Sequence, residues 1–488
     1  MNTPIRRVAL TVMLLIVALM VNLTYIQVIW SDELRAHPRN SRTLNEELAR
    51  QRGDIIVGNE AVATVEETGD NLYPYERVYP DGPVYAPITG YYSPIGRTGL
   101  ERAEDPVLNG SDDRLFVRRL SDLITGRDAR GGMVELTIDR RMQETAYQMM
   151  TDRGLTGAVV ALEPSTGRIL SLVSTPTFDP NELSTLDSEA RAAATEELEA
   201  DENRPLHNRA ISETQPPGST FKLLVAAAAL DNGYSNDSEV NAAPSVQLPG
   251  SSVSLPNYNN NPCGNGQRAT LLQAMEESCN VPFGEIAGEL GPEVLQEQAE
   301  ALGFSDPDLE IPLSVASSEL GEMADSAAVY QSGIGQRDVR VTPLQNAMMV
   351  ATIANEGSRM EPHVVSRILT PELDLLDEIN PDEAEQAFSP QVAQDLTEMM
   401  IASEQHTGGE GQIPGVTIAS KTGTAQWGVD PSETNPHAWY VAFAPAEDPQ
   451  VAVAVLVEAG GDIGAGATGG RVAAPIGRAV LGAGLGGG

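Results

Sequence analysis

The longest mostly apolar run stands near the start of the chain. Val8 to Trp30 is mostly hydrophobic and carries no charge. At about 1.5 Å per residue, a helix of that length crosses a hydrocarbon core of about 30 Å with some tilt. Arg6 and Arg7 precede the run, and Asp32 and Glu33 follow it. The positive-inside rule then predicts a cytoplasmic tail at 1–7, a transmembrane anchor at 8–30 and an extracytoplasmic remainder. Tyr25 and Trp30 suit the outer interface. The run is too long for a cleaved signal peptide, and no small-residue cleavage site follows it, so the anchor is expected to be retained.

Beyond the anchor the pattern changes twice. Residues 31–150 read as an irregular, mostly β N-terminal module without visible chemistry. Asp54 to Val57 is a short strand candidate, and turn signals crowd Tyr73 to Gly99. Met142, Ala146 and Met149-Met150 recur at helical spacing, which predicts a helix over Asp139 to Arg153. Gly157 to Leu162 and Arg168 to Val173 are apolar runs around the turn Glu163 to Gly167, a hairpin. Phe178 to Asn203 reads as a solvated acidic insertion with a helical stretch at Ser188 to Ala200. Lys222 to Ala354 is rich in helix formers. Gly415 to Gln426, His437 to Ala444 and Gln450 to Glu458 read as three strands of an antiparallel meander that pairs with the early hairpin. Val472 to Leu481 reads as a closing helix, and the glycine-rich tail 483–488 is expected to be flexible. Strands at both ends with helices between them make residues 151–482 an α+β domain, one antiparallel sheet flanked by helices.

Composition narrows the function. With 69 acidic against 31 basic residues the net charge is −38, which argues against nucleic acid as a partner and suits a solvated acidic surface. There is no CxxC pair and no HExxH, so no metal is expected. No GxSxG elbow marks a Ser-His-Asp hydrolase. His207 and His437 read as structural or surface residues, and Gly333-Ile334-Gly335 as a tight turn. The basic residues are arginine with two exceptions, Lys222 and Lys421. Lysine can lose its proton near neutral pH and arginine cannot, so this usage singles out two positions.

Each lysine lies in a short motif. Pro216-Pro217-Gly218 breaks the chain before Ser219, and Ser219-x-x-Lys222 opens an apolar helix. Residues at i and i+3 share a face, so Lys222 can reach the Ser219 hydroxyl. In dry surroundings its pKa falls, which suits a general base. The competing reading is an N-cap serine and an incidental lysine. Ser278-Cys279-Asn280 follows a helical stretch over Leu271 to Glu277. Ser278 could relay a proton from Lys222 and Asn280 could hold a peptide group, or Asn280 could simply cap the end of that helix. Lys421-Thr422-Gly423-Thr424 lies on the first strand of the meander. Lys421 and the threonine hydroxyls can receive a terminal carboxylate, and Gly423 leaves room for a substrate backbone. The Thr424 and Ser219 N–H groups could form an oxyanion hole. Cys263 and Cys279 lie outside the membrane on this topology and are expected to form a disulfide that pins the second motif, two free buried thiols being the alternative.

The order of the three motifs is that of the penicilloyl serine transferases, and the chain resembles the class B penicillin-binding proteins. The resemblance covers nearly everything after the anchor. Arg52-Gly53-Asp54-Ile55, Gly99-Leu100-Glu101 and Leu136-Thr137-Ile138-Asp139 look like landmarks of the family's N-terminal part. Gly157 to Pro176, Gly335-Gln336, Val341 to Gln345 and Ala438 to Val441 look like its transpeptidase core. Ile56-Val57-Gly58-Asn59 departs from the family's usual continuation, so the resemblance does not say how that module docks. It implies a peptidoglycan D,D-transpeptidase with an acyl-enzyme on Ser219, acylated by β-lactams and free of cofactors. Stem peptides and β-lactams are the implied ligands. A membrane glycosyltransferase and division or elongation proteins are the implied partners. A D,D-carboxypeptidase, a β-lactamase or sensor, and a catalytically idle cell-wall scaffold are the rivals.

Overall fold

The computed structural model describes residues 2–30, 49–70, 73–115, 118, 130–307, 309, 311–428 and 434–486. The arginine-rich start of the N-terminal module, 31–48, lies outside them. The anchor is one helix, Asn2–Thr24, continued by a single wide turn over Tyr25–Ile29. It starts ahead of the apolar run and takes in Arg6 and Arg7. Its apolar stretch, Pro4–Gln27, has a mean hydropathy of 2.3 and is not buried by any of the described residues. Among the described residues it is the one helix long and apolar enough to span a membrane.

The core of the larger domain is a five-stranded antiparallel sheet. Its order is Ala419–Ala425, His437–Ala444, Val451–Val457, Gly157–Leu162, Ile169–Thr175. The late meander thus continues into the early hairpin, with Val455 opposite Val159 in register. Three of the five strands are buried throughout, on both faces, and this is why they read as continuous apolar runs without alternation. Helices Arg140–Thr151 and Ala474–Gly484 cover one face. The Lys222–Asp231 and Pro343–Ala354 helices lie on the other. Asp139 caps the first of these helices, accepting from the N–H groups of Arg141 and Met142 at 2.9 and 3.1 Å.

Four expectations need correction. The closing helix extends to Gly484, so the glycine-rich tail is helical at its start. There a side chain is excluded by Met142 and Val451, and glycine is what fits. The turn signals between Tyr73 and Gly99 conceal a helix, Gly82–Thr89, because a proline at the first turn starts a helix as readily as it makes a bend. The module is not closed at residue 150. Its six-stranded sheet runs Leu375–Glu378, Val365–Leu369, Met133–Leu136, Ile55–Val57, Glu60–Glu67, Tyr75–Val78. Two of its strands therefore come from far down the chain. The acidic insertion is also more than a solvated loop. Phe178 and Leu183 pack with Ala86 of the module, and Tyr91 meets Phe178 edge to face at 6.3 Å.

Candidate active site

The edge strand Ala419–Ala425 leaves one side of its backbone without a strand partner, and the turn carrying Ser219 lies along that side. Three contacts fix the turn. Trp439 Nε1 donates to Pro216 O at 2.9 Å. Gly218 N–H donates to Gly335 O at 2.9 Å. The chain is so close to the strand that a Cβ on Gly423 would stand 2.7 Å from Pro217 O, and one on Gly218 would stand 2.8 Å from Thr424 O. Glycine is required at both positions by this approach, and Gly218 also holds a positive φ of 55°. Gly335 belongs to the tight turn read from Gly333-Ile334-Gly335. Its φ is 67°, and a Cβ there would meet Gly218 O at 2.1 Å.

Ser219 is half-buried in a 3₁₀ turn, Gly218–Phe221, that feeds directly into the helix Lys222–Asp231. That helix is buried on every side from Lys222 to Leu230, as its unbroken apolar run requires. Lys222 Nζ donates to Ser278 O at 2.7 Å and to Asn280 Oδ1 at 2.8 Å. It also lies 5.7 Å from the centre of the Phe283 ring. Among the described residues its hydrogen bonds go to the second motif and not to the Ser219 hydroxyl, one helical step away. Lys421 Nζ donates to Ser278 Oγ at 2.8 Å and to Thr422 O at 3.1 Å. Ser278 is thus shared by the two lysines, its carbonyl facing one and its hydroxyl the other. Its φ of 57° is left-handed, a conformation uncommon for serine and one that turns both groups inward.

The two lysines are completely buried. Burial holds Lys222 well below the ordinary lysine range, and the nearby Lys421 charge pushes it lower. Burial lowers Lys421 to about 7. A neutral Lys222 beside a charged Lys421 can accept a proton at one end of the site and hold an anion at the other. Thr422 and Thr424 are half-buried and Gly423 is buried on the same strand. Their placement leaves the strand edge as a rail for an extended peptide.

Asn280 does not cap the preceding helix, Leu271–Glu276. It is the first residue of the next one, Asn280–Ala301, which follows Cys279. Cys263 and Cys279 are bonded, with Cα atoms 6.0 Å apart. Other supports carried no local signal in the sequence. Behind the Lys421 strand, Arg478 is fully buried and donates to Glu404 Oε1 at 2.7 Å, while Glu404 Oε2 accepts from Ser420 Oγ and Tyr440 OH. His437 is buried and stacked on Trp427 with ring centres 5.1 Å apart. Burial lowers its pKa to about 4, so it is a neutral structural imidazole.

Residues 157–482 match the model of the penicillin binding protein transpeptidase domain, and residues 52–134 match the penicillin binding protein A dimerisation domain. The chain belongs to the penicillin-binding protein transpeptidase family. Among its relatives, the peptidoglycan D,D-transpeptidase PbpA of Mycolicibacterium smegmatis is 52% identical over 99% of both chains. The protein of the same name from Mycobacterium tuberculosis is 50% identical over the same shares. A solved structure of M. tuberculosis penicillin-binding protein A, a ceftriaxone acyl-enzyme complex, superposes with a TM-score of 0.88 at 50% identity. It covers 90% of this chain and 99% of its own. The penicillin G acyl-enzyme complex of that protein superposes at 0.86 and 49% identity, covering 89% of this chain and 100% of its own. The family is that of the resemblance, and so is the fold, an α+β transpeptidase domain with a module before it.

Proposed function

We propose that this chain is a membrane-anchored serine D,D-transpeptidase that cross-links peptidoglycan stem peptides and is acylated by β-lactams. The observation that carries the roles of its residues is the convergence of both lysines on Ser278, with Lys222 dry and one turn from Ser219. Neutral Lys222 takes the Ser219 proton as Oγ attacks the carbonyl of the penultimate D-alanine. The Ser219 and Thr424 N–H groups receive the developing oxyanion, aided by the helix that begins at Lys222. Collapse of the tetrahedral adduct breaks the peptide bond. The departing amine takes the proton held by Lys222, relayed through the hydroxyl of Ser278, whose Oγ accepts from Lys421 and so has its own O–H free to donate, and Lys222 is neutral again. Free D-alanine leaves and an ester on Ser219 remains. The amine of a second stem peptide then attacks the ester, its proton passes back through Lys222, and Ser219 is restored with a new amide bond formed. Lys421, Thr422 and Thr424 hold the terminal carboxylate, and Asn280 holds a peptide group beside the ester.

The anchor and the charge around it support a cytoplasmic N-terminus with the catalytic domain outside. In this reading glycan polymerisation falls to a membrane glycosyltransferase beside it, and division or elongation proteins are further partners. The test uses the full-length chain in detergent. Fluorescent penicillin labels wild type and leaves Ser219→Ala unlabelled. Incubation with a stem pentapeptide and a second stem amine yields the joined peptide and D-alanine. An unlabelled wild type overturns the reading, and tetrapeptide without joined product makes the chain a carboxypeptidase.

A further inference from the structure

Lys222 meets an acceptor at Asn280 Oδ1, so something must decide which way the Asn280 amide faces and where the start of its helix lies. The first N–H groups of a helix have no partner within it and need one from outside. The residue before this helix is Cys279. It provides no side-chain cap, since its sulfur is bonded to Cys263. The partner comes instead from Asn257. Its Oδ1 accepts from Asn280 N–H at 2.8 Å and from Val281 N–H at 2.9 Å. Its Nδ2 donates to Ala243 O and to Asn261 O, both at 3.0 Å. The residue is 5% exposed, and two donors and two acceptors complete its side chain. Next to it, Pro256 O accepts from Asn280 Nδ2 at 2.8 Å. That bond orients the Asn280 amide, because with its nitrogen turned to Pro256 its oxygen is left facing Lys222.

We infer that Asn257 is a positioning residue for this reaction, acting on the base Lys222 through Asn280. The inference rests on the function proposed above and goes one step behind its residues. Residues 256 and 257 hold the backbone and the side chain of Asn280 together. The disulfide holds the neighbouring Cys279 from a different direction and leaves the amide free to turn. A helix cap that only stabilises the fold has no reason to affect how the base titrates. Asn257 does have one, since moving Asn280 Oδ1 takes away an acceptor that favours the charged form of Lys222.

The experiment follows penicillin acylation of the full-length chain in detergent across pH, beside a thermal melt. Asn257→Ala removes the acceptor of the Asn280 and Val281 N–H groups, so the start of the helix can shift and carry the Asn280 side chain away from Lys222. Acylation is expected to fall by about 10²-fold, the scale set by misplacing a catalytic group by about 1 Å. The acidic limb of its pH profile is expected to move to lower pH. Asn257→Asp keeps the two accepted hydrogen bonds, so its helix stays capped, and brings a negative charge near Lys222. Its acidic limb is expected to move the other way. In an Asn280→Ala background, Asn257→Ala is expected to add little, because both changes remove the same support. Coincident acidic limbs in all three proteins, or acylation by a folded Asn257→Ala within twofold of wild type, overturn the inference. So does full additivity of the two alanine changes. An unlabelled wild type fails the proposed function instead, so the two failures are told apart.

Discussion

Replacing Lys222 by arginine separates a base from a charge. Lys222 Nζ is fully buried and meets two acceptors, Ser278 O and Asn280 Oδ1. A guanidinium keeps a positive charge but does not deprotonate in a protein, and it brings five N–H donors into that space. Each donor left unpaired costs about 1–3 kcal/mol, so the variant is expected to fold with a lowered melting temperature. The kinetic loss is larger than this structural one implies. General-base catalysis contributes ~10²–10⁴-fold in rate. At about 1.36 kcal/mol per decade, that is roughly 3–5 kcal/mol of barrier. The other lysine, Lys421, is engaged with Ser278 and Thr422. The assay is the second-order rate of acylation by a fluorescent penicillin, run well below the melting transition of each protein. Lys222→Met, similar in length and uncharged, is measured beside it. Both variants are expected to lose at least 10²-fold. If the arginine variant acylates within a few-fold of wild type, Lys222 is an electrostatic support and the base lies elsewhere.

Lys421→Arg keeps the charge in a wider planar group beside Thr422 and Gly423, so the drug concentration for half-maximal acylation rate should rise more than the limiting rate falls. Equal values for both proteins would remove Lys421 from the carboxylate site. Gly335→Ala places a Cβ 2.1 Å from Gly218 O at a positive φ, and acylation should drop about 10²-fold through displacement of the Ser219 turn. A normal rate would show that the turn can yield. Cys263→Ser with Cys279→Ser opens a loop of sequence separation 16 and should cost about 3 kcal/mol in denaturant unfolding. No loss of stability would mean the loop is already restrained. Stability should also depend on pH through Lys421. Its pKa is about 7 when folded and 10.5 for an ordinary lysine, so between these the unfolded chain binds more protons and stability rises with pH. The slope reaches about 1.4 kcal/mol per pH unit for one group and should flatten in Lys421→Met, and parallel wild-type and variant curves would refute it.

Much of the chemistry was legible because it is written locally. Ser219 and Lys222 share a turn, Lys421 to Thr424 share a strand, and the choice of lysine in an arginine background marks both. The central strands were readable from their apolar runs, and the order of the meander followed from its short connections. The family resemblance added what spacing alone leaves open, namely which chemistry is expected of the three motifs. What local pattern could not supply is convergence. Ser278 serves Lys222 with its carbonyl and Lys421 with its hydroxyl only because chain segments far apart in sequence meet there. Asn257 caps a helix that starts well beyond it, Glu404 and Arg478 pair behind the Lys421 strand from separate helices, and Val365–Leu369 completes a sheet begun at Ile55. Side-chain periodicity and turn chemistry act over a few residues, so a sequence states them directly. Hydrogen bonds between distant segments depend on where packing brings the backbone. Their acceptors are often main-chain oxygens that every residue carries, so no letter in the sequence announces them.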